Sequence, residues 1–259
     1  IPAMPISIGD TDKSIITIQR YFLLSKIHEV YLQVLNKIMN NLFFPKAIVF
    51  DMDGVLIDSE PLWKIAMLAE FKKSGIILTE DDCRATTGRR IDEVAAHWIN
   101  RYGLKSVSVS QLVMAIEQHL MALIKSQGKP FEGCIELLNY AKSKDIRIGL
   151  ATSSSEAIMH CVLNHLHLES YFDVTCSAEH CKKAKPDPEV YLNAIEGLGV
   201  KPYDCWAIED SLNGLKAASA AGMQVLYMPE KKHRMDTTTL HVHAVCNNFF
   251  KVASLLRQL

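Results

Sequence analysis

The sequence contains no uninterrupted apolar run approaching the roughly 18 residues that a membrane-spanning helix needs, which argues against an integral membrane protein. It also lacks a surplus of charge: 28 Lys plus Arg stand against 29 Asp plus Glu, a formal net charge of -1. Nothing in that balance recruits nucleic acid or an anionic membrane surface. Cysteine is present without a disulfide pattern. The seven cysteines, an odd number spread from Cys83 to Cys246, include no C-x-x-C pair and suit reduced thiols and a cytoplasmic location. No internal repeat or low-complexity tract occurs. Ser153-Ser154-Ser155 has no G-x-S-x-G around it, which removes the usual serine-hydrolase elbow. His160, Cys161, His165, His167, Cys176, His180 and Cys181 follow no zinc-ligand spacing.

What is present is enough apolar material for a sizeable core, 49% of 259 residues. Near the N-terminus, the segment from Ile15 to Leu35 is apolar-rich but broken by Lys26, His28 and Glu29, and no small-residue cleavage site follows. It fits a signal peptide poorly. The chain opens at Ile1, and Met39 stands just before the first strand signal, so residues 1–38 read as an extension outside the main fold or as an amphipathic helix packed on it. The extension is expected to end by residue 44.

From Lys46 onward, short apolar runs alternate with longer segments of helical period, the pattern of an α/β domain with a parallel sheet. Three runs carry polar ends: Ala47 to Phe50 before Asp51, Ile146 to Ala151 before Thr152, and Cys205 to Ile208 before Glu209-Asp210. Ligands of open α/β sheets sit beyond the carboxyl ends of strands, so these groups are expected to converge. Almost a hundred residues separate the first run from the second, far more than a crossover needs. Helical spacing over Trp63 to Ser74, Arg90 to Tyr102 and Ser110 to Ser126, with Ser110 as an N-cap, predicts an inserted helical domain over 63–130. Its hinges fall at Ser59-Glu60-Pro61 and at Gly128 to Gly133, leaving 45–62 and 131–259 as the sheet domain.

Asp51 and Asp53 follow the first strand on the same side of the chain, and Gly54 permits a sharp turn after them. Taken alone, such a pair reads equally as a solvated turn or a helix cap. The longer stretch Phe50-Asp51-Met52-Asp53-Gly54-Val55-Leu56-Ile57-Asp58-Ser59-Glu60 resembles the first signature of the haloacid dehalogenase superfamily. Three further signatures are similar and in order: Thr152, Lys185 within Ala184-Lys185-Pro186-Asp187-Pro188, and Glu209-Asp210 within Ala207 to Ser211. The resemblance spans about residues 45 to 230 and implies a Rossmann-like core with a small helical cap.

The resemblance implies a nucleophile at Asp51 that becomes an aspartyl phosphate, and a general acid and base at Asp53. A carboxylate suffices as nucleophile because a loose phosphoryl transition state asks for positioning and charge stabilisation. It further implies Mg2+ held by the Asp51 and Asp210 carboxylates and the Asp53 backbone carbonyl, with Glu209 as a direct or indirect ligand. Thr152, Ser153 and Lys185 would meet the phosphate oxygens. Within the insertion, Thr87 to Asp92 is the loop expected to reach the site, with Arg89 and Arg90 suited to an anionic or hydroxyl-rich substrate.

The insertion is similar to the small cap of the β-phosphoglucomutase-like branch. In its mutases the hinge helix carries a His where this chain has Trp63, within Ser59-Glu60-Pro61-Leu62-Trp63. The expected activity is therefore hydrolysis of a sugar or sugar-alcohol phosphate by a monomeric, Mg-dependent enzyme whose partner is a small phosphorylated metabolite. A phosphosugar mutase is the alternative, and a catalytically silent phosphate-binding regulator the alternative of another kind. For Trp63, packing between cap and core is expected ahead of a place in the pocket.

Overall fold

The computed structural model describes residues 42–104, 106–229, 240 and 242–259. The expectations for residues 1–38 lie outside them. Phe43, assigned above to the extension, belongs to the sheet domain: its N–H donates to Gln224 and its carbonyl accepts from the Trp206 indole.

Six parallel strands run in the order β3-β2-β1-β4-β5-β6: β1 Ala47–Phe50, β2 Arg147–Thr152, β3 Val174–Ser177, β4 Cys205–Glu209, β5 Gln224–Tyr227 and β6 Ala244–Val245. Every residue of β1, β4 and β5 is buried. Helices cover both faces of such a sheet, so its central strands write continuous apolar runs rather than alternating ones. On one face Ala47 and Val49 pack with Tyr191, Ile195, Leu215 and Ala218, which lie on helices α7 (Glu189–Leu198) and α8 (Leu212–Ala220). Toward the other, Phe50 meets Phe172 edge-on and Phe249 of α9 (Phe249–Gln258), while α5 (Cys134–Ser143) packs on β2 and α9.

The chain leaves β1 in one direction through β2 and in the other through β4, which opens a crevice beyond the carboxyl end of β1. Register sets what lines it. Phe50 pairs with Leu150 on one side and Ile208 on the other, so Asp51, Ala151-Thr152 and Glu209-Asp210 emerge at one level.

Between β1 and α5 stand four helices: α1 (Glu60–Lys73), α2 (Glu80–Arg84), α3 (Ile91–Tyr102) and α4 (Val109–Gln127). Helix α4 buries Leu112, Ile116, Leu120 and Ile124, a strict four-residue stripe, against α1 and α3. Its N-cap is Ser108, whose hydroxyl accepts from the Gln111 N–H; Ser110, expected in that place, lies inside the first turn. Helix α1 likewise starts earlier than its apolar spacing suggests, because Glu60 and Pro61 suit a first turn that needs no backbone donor from proline. Outgoing and returning chains pair at the hinge, through a bridge between Ile57 and Pro130 and a bond from the Phe131 N–H to the Leu56 carbonyl. Helix α6 (Glu156–Leu166) follows β2 and also touches α4.

Candidate active site

Lys185 lies below the end of β1 with almost no solvent contact. Its ammonium has four oxygens in reach: Asp51 Oδ1 at 2.8 Å, Glu209 Oε1 at 2.6 Å, the Ala151 carbonyl at 2.9 Å and, farther off, the Tyr191 hydroxyl at 3.4 Å. Burial works against the ammonium, but the charges of Asp51 and Glu209 outweigh it and raise the pKa above the ordinary value. The lysine stays charged.

Glu209 is fully buried, and both its oxygens are engaged. Oε1 accepts from Lys185 and from the Tyr191 hydroxyl at 2.7 Å; Oε2 accepts from the N–H groups of Asp210 and Ser211 and from the Ser211 hydroxyl. A carboxylate has about four lone-pair positions, so none is left over for a metal. Of the direct and indirect metal roles expected for Glu209, this geometry suits the indirect one: it anchors Lys185 and the Asp210 N–H beside the Asp51 and Asp210 carboxylates. Gly214 makes room for it, since a Cβ there would overlap the Glu209 carboxylate.

Asp51 and Asp210 differ from Glu209 in having oxygens to spare. Beyond Lys185, no hydrogen bond reaches either carboxylate from side chains of the described residues. Burial first, and then the Glu209 charge, pushes the Asp51 carboxyl up to about 7 against the pull of Lys185; the same two causes raise Asp210 well above the carboxylate range. Ligand oxygens of Asp51, Glu209 and Asp210 lie within 4.8 Å of one another. One ammonium among three carboxylates leaves negative charge that a divalent cation would balance, and the all-oxygen donor set is the type that Mg2+ takes. The residues fit that ion. Gly54 closes the arrangement: its positive φ of 75° and its contact with the Asp210 carboxylate both exclude a side chain.

Asp53 faces the same space and is held by three donors. Oδ1 accepts from the Ser59 hydroxyl at 2.5 Å and from the Trp63 indole N–H at 2.8 Å, and Oδ2 accepts from the Ser154 hydroxyl at 2.7 Å. Trp63 thus donates to a carboxylate on the cavity rather than serving only as packing. Ser59 comes from the hinge, Trp63 from α1 and Ser154 from the loop after β2, where the Ser177 hydroxyl holds its carbonyl. Asp51, Asp53, Trp63, Ser153 and Arg89 line one open cavity, together with Met67, Ile91 and Val94 of the helical insertion.

The remaining expected residues divide. Ser153 faces the cavity and reaches toward the Gly88 carbonyl. Thr152 is fully buried beside it, and its hydroxyl accepts from the Ser154 N–H. Arg89 lines the cavity, near Glu93. Arg90 does not line it: expected at the substrate, it points the other way, onto Asp92 and two backbone carbonyls of the core. Arg90 is the extended residue just before α3, and its guanidinium is taken by the Asp92 carboxylate two residues on, which turns it from the cavity. Tyr191, Ser59 and Ser154 were missed by sequence reasoning, because a buried hydroxyl in a helix or loop carries no pattern of its own.

A parallel α/β sheet whose crevice gathers carboxylates around a buried lysine, under a helical insertion, defines an enzyme of Rossmann-like architecture. Residues 48–228 match the family described as haloacid dehalogenase-like hydrolase, and the chain belongs to that family. It is similar to hexitol phosphatase B of Escherichia coli, with 35% identity over 191 residues covering 73% of this chain and 86% of that one. It is equally 35% identical to the phosphorylated carbohydrates phosphatase of Thermotoga maritima, over 70% of this chain and 84% of the relative. Among solved structures, a putative β-phosphoglucomutase from Thermotoga maritima superposes with a TM-score of 0.66 at 30% identity, covering 82% of this chain and 99% of that one. The chain therefore falls in the β-phosphoglucomutase-like branch of the family.

Proposed function

We propose that the protein is a Mg-dependent phosphatase that hydrolyses a sugar or sugar-alcohol phosphate through an aspartyl-phosphate intermediate. The observation that carries this reading is the unlike treatment of two carboxylates on one cavity: Asp51 is held by a buried ammonium, and Asp53 by three neutral donors. The names of the carbohydrate-phosphate phosphatases to which the chain is similar support the substrate class.

In the first half-reaction an Asp51 oxygen attacks phosphorus as the ester P–O bond breaks, and the proton of Asp53 passes to the departing alkoxide. In the second, water attacks the phosphoryl group, its proton returns to Asp53, and the Asp51–phosphorus linkage breaks to release inorganic phosphate. An indole N–H can only donate, so Trp63 keeps Asp53 Oδ1 an acceptor and leaves Oδ2 to carry the proton, with the Ser154 hydroxyl free to reverse. Lys185 offsets charge on Asp51 and stands ready for the equatorial phosphate oxygens, and Ser153 adds a hydroxyl at the cavity wall. Asp51 and Asp210 would hold Mg2+, which supplies charge neutralisation at the phosphoryl oxygens. Arg89 is the side chain of the insertion that would meet substrate hydroxyls.

The test is phosphate release from sorbitol 6-phosphate, 2-deoxyglucose 6-phosphate, pentose phosphates and nucleotide monophosphates, with and without Mg2+. Conversion of β-glucose 1-phosphate in the presence of the sugar bisphosphate is followed in parallel. Selective, Mg-dependent release from hexitol or hexose phosphates is expected. Isomer conversion without net release would replace the phosphatase with a mutase.

A further inference from the structure

We propose that Arg90 is the positioning residue of the substrate loop: it clamps residues 86–91 of the helical insertion onto the sheet domain, and so holds Gly88 and Arg89 at the mouth of the cavity. The proposal rests on the phosphatase reading only for the identity of the substrate.

Arg90 precedes α3 in an extended conformation. Its guanidinium is first fixed within the insertion, where Nε donates to Asp92 Oδ1 at 3.0 Å and Nη2 to Asp92 Oδ2 at 2.8 Å. This planar two-point pair orients the remaining nitrogen. Nη1 then crosses to the sheet domain and donates to the carbonyls of Ala178 and Cys181, at 3.3 and 3.4 Å. Its side chain is about one-fifth exposed, so these bonds form with little competition from water.

The acceptors are firmly placed. Ala178 and Cys181 are buried in the turn that follows β3, and Ser177, just before them, bonds the carbonyl of Ser154, whose own hydroxyl holds Asp53. The clamp therefore references the substrate loop to the same segment that supports the reactive carboxylate. The loop's other links to the sheet domain are slighter: Gly88 lies against Ser211, and the Ser153 hydroxyl reaches the Gly88 carbonyl at 3.5 Å. Arg89 and Ile91, on either side of Arg90, both face the cavity. Loss of the clamp leaves the chemistry intact and lets the residues that contact the non-reacting part of the substrate drift.

A lysine cannot hold Asp92 at two points and two carbonyls together. In the full-length protein, Arg90→Lys is expected to lower kcat/KM for sorbitol 6-phosphate about tenfold, chiefly through KM, while acetyl phosphate, too small to reach the loop, changes less than about twofold. Asp92→Asn should shift the same ratio in the same direction by less. Amide hydrogen exchange over residues 86–92 should quicken in both variants while exchange in β1 and β4 stays as in the wild type. Equal losses on both substrates, or unchanged exchange in the loop, would overturn the proposal. If the wild type hydrolysed neither compound, the phosphatase reading would fail, and the exchange measurement alone would still decide the clamp.

Discussion

Gly214 shows how the charge at the site depends on single atoms. The carboxylate of Glu209 occupies the space a side chain would take at this first turn of α8, and from there it orders Lys185 and Tyr191. Gly214→Ala should displace that carboxylate and with it the ammonium that faces Asp51. We expect a destabilisation of about 1–3 kcal/mol from the forced shift, measured by urea unfolding, and a loss of turnover of at least about a hundredfold. Activity near that of the wild type would mean that Lys185 is placed without Glu209. Trp63 poses a different question, because its indole both lines the cavity and donates to Asp53. Trp63→Phe keeps most of the surface and removes the donor. In single-turnover assays the variant should slow the release of an alkoxide leaving group about tenfold and that of acetate from acetyl phosphate much less, since acetate leaves without a proton. A uniform change for both, or one confined to KM, would reduce Trp63 to a wall of the pocket. Neither Trp63 nor Tyr191 declares its role in sequence: the partners lie 10 residues from one and 18 from the other, and only the fold brings them within 3 Å.

At the scale of elements, legibility follows burial. β1, β2 and β4 are read within a residue of their ends because central parallel strands are apolar on both faces. β3, with Thr175, Cys176 and Ser177, and the two-residue β6 flank the sheet, where polar residues are tolerated and the apolar run disappears. The helices of the insertion are legible by their stripes, but α2 is five residues long, held by a capping box between Thr79 and Asp82, and too short to show a period. One link between elements leaves no stripe at all: Glu70 of α1, buried, bonds Lys73 and reaches across to His119 of α4. Burial pushes the Glu70 carboxyl up, but the bonds and charges of Lys73 and His119 outweigh it and hold the group below its ordinary value. A carboxyl lowered in the folded state contributes stability above its unfolded pKa and loses it as pH falls through the folded one. Glu70→Gln should therefore lower stability by about 1–2 kcal/mol at pH 7, and the gap from wild type should close below about pH 4. A gap that persisted in acid would show packing, rather than charge, at this contact.

Across the whole molecule the formal charge nearly cancels, at -1, yet the crevice of the sheet concentrates carboxylates of one sign. Folding brings Asp51, Glu209 and Asp210 together against a single ammonium, so part of the stability gained by the core is spent on holding like charges in a buried place. A cation that binds only the folded state returns that energy by mass action, about 2.7 kcal/mol at a hundred times its Kd. Thermal unfolding of the full chain should thus shift upward by several degrees as Mg2+ is added, and chelation should reverse the shift. Asp210→Asn separates the two contributions. Without cation it removes a repelling charge and should melt at or above the wild-type temperature; with saturating Mg2+ it should fall below, because the ion has lost a ligand. A variant less stable than the wild type in the absence of any divalent ion would mean that Asp210 stabilises the fold by itself, and that the crevice is not under the electrostatic tension from which its affinity for a cation is argued.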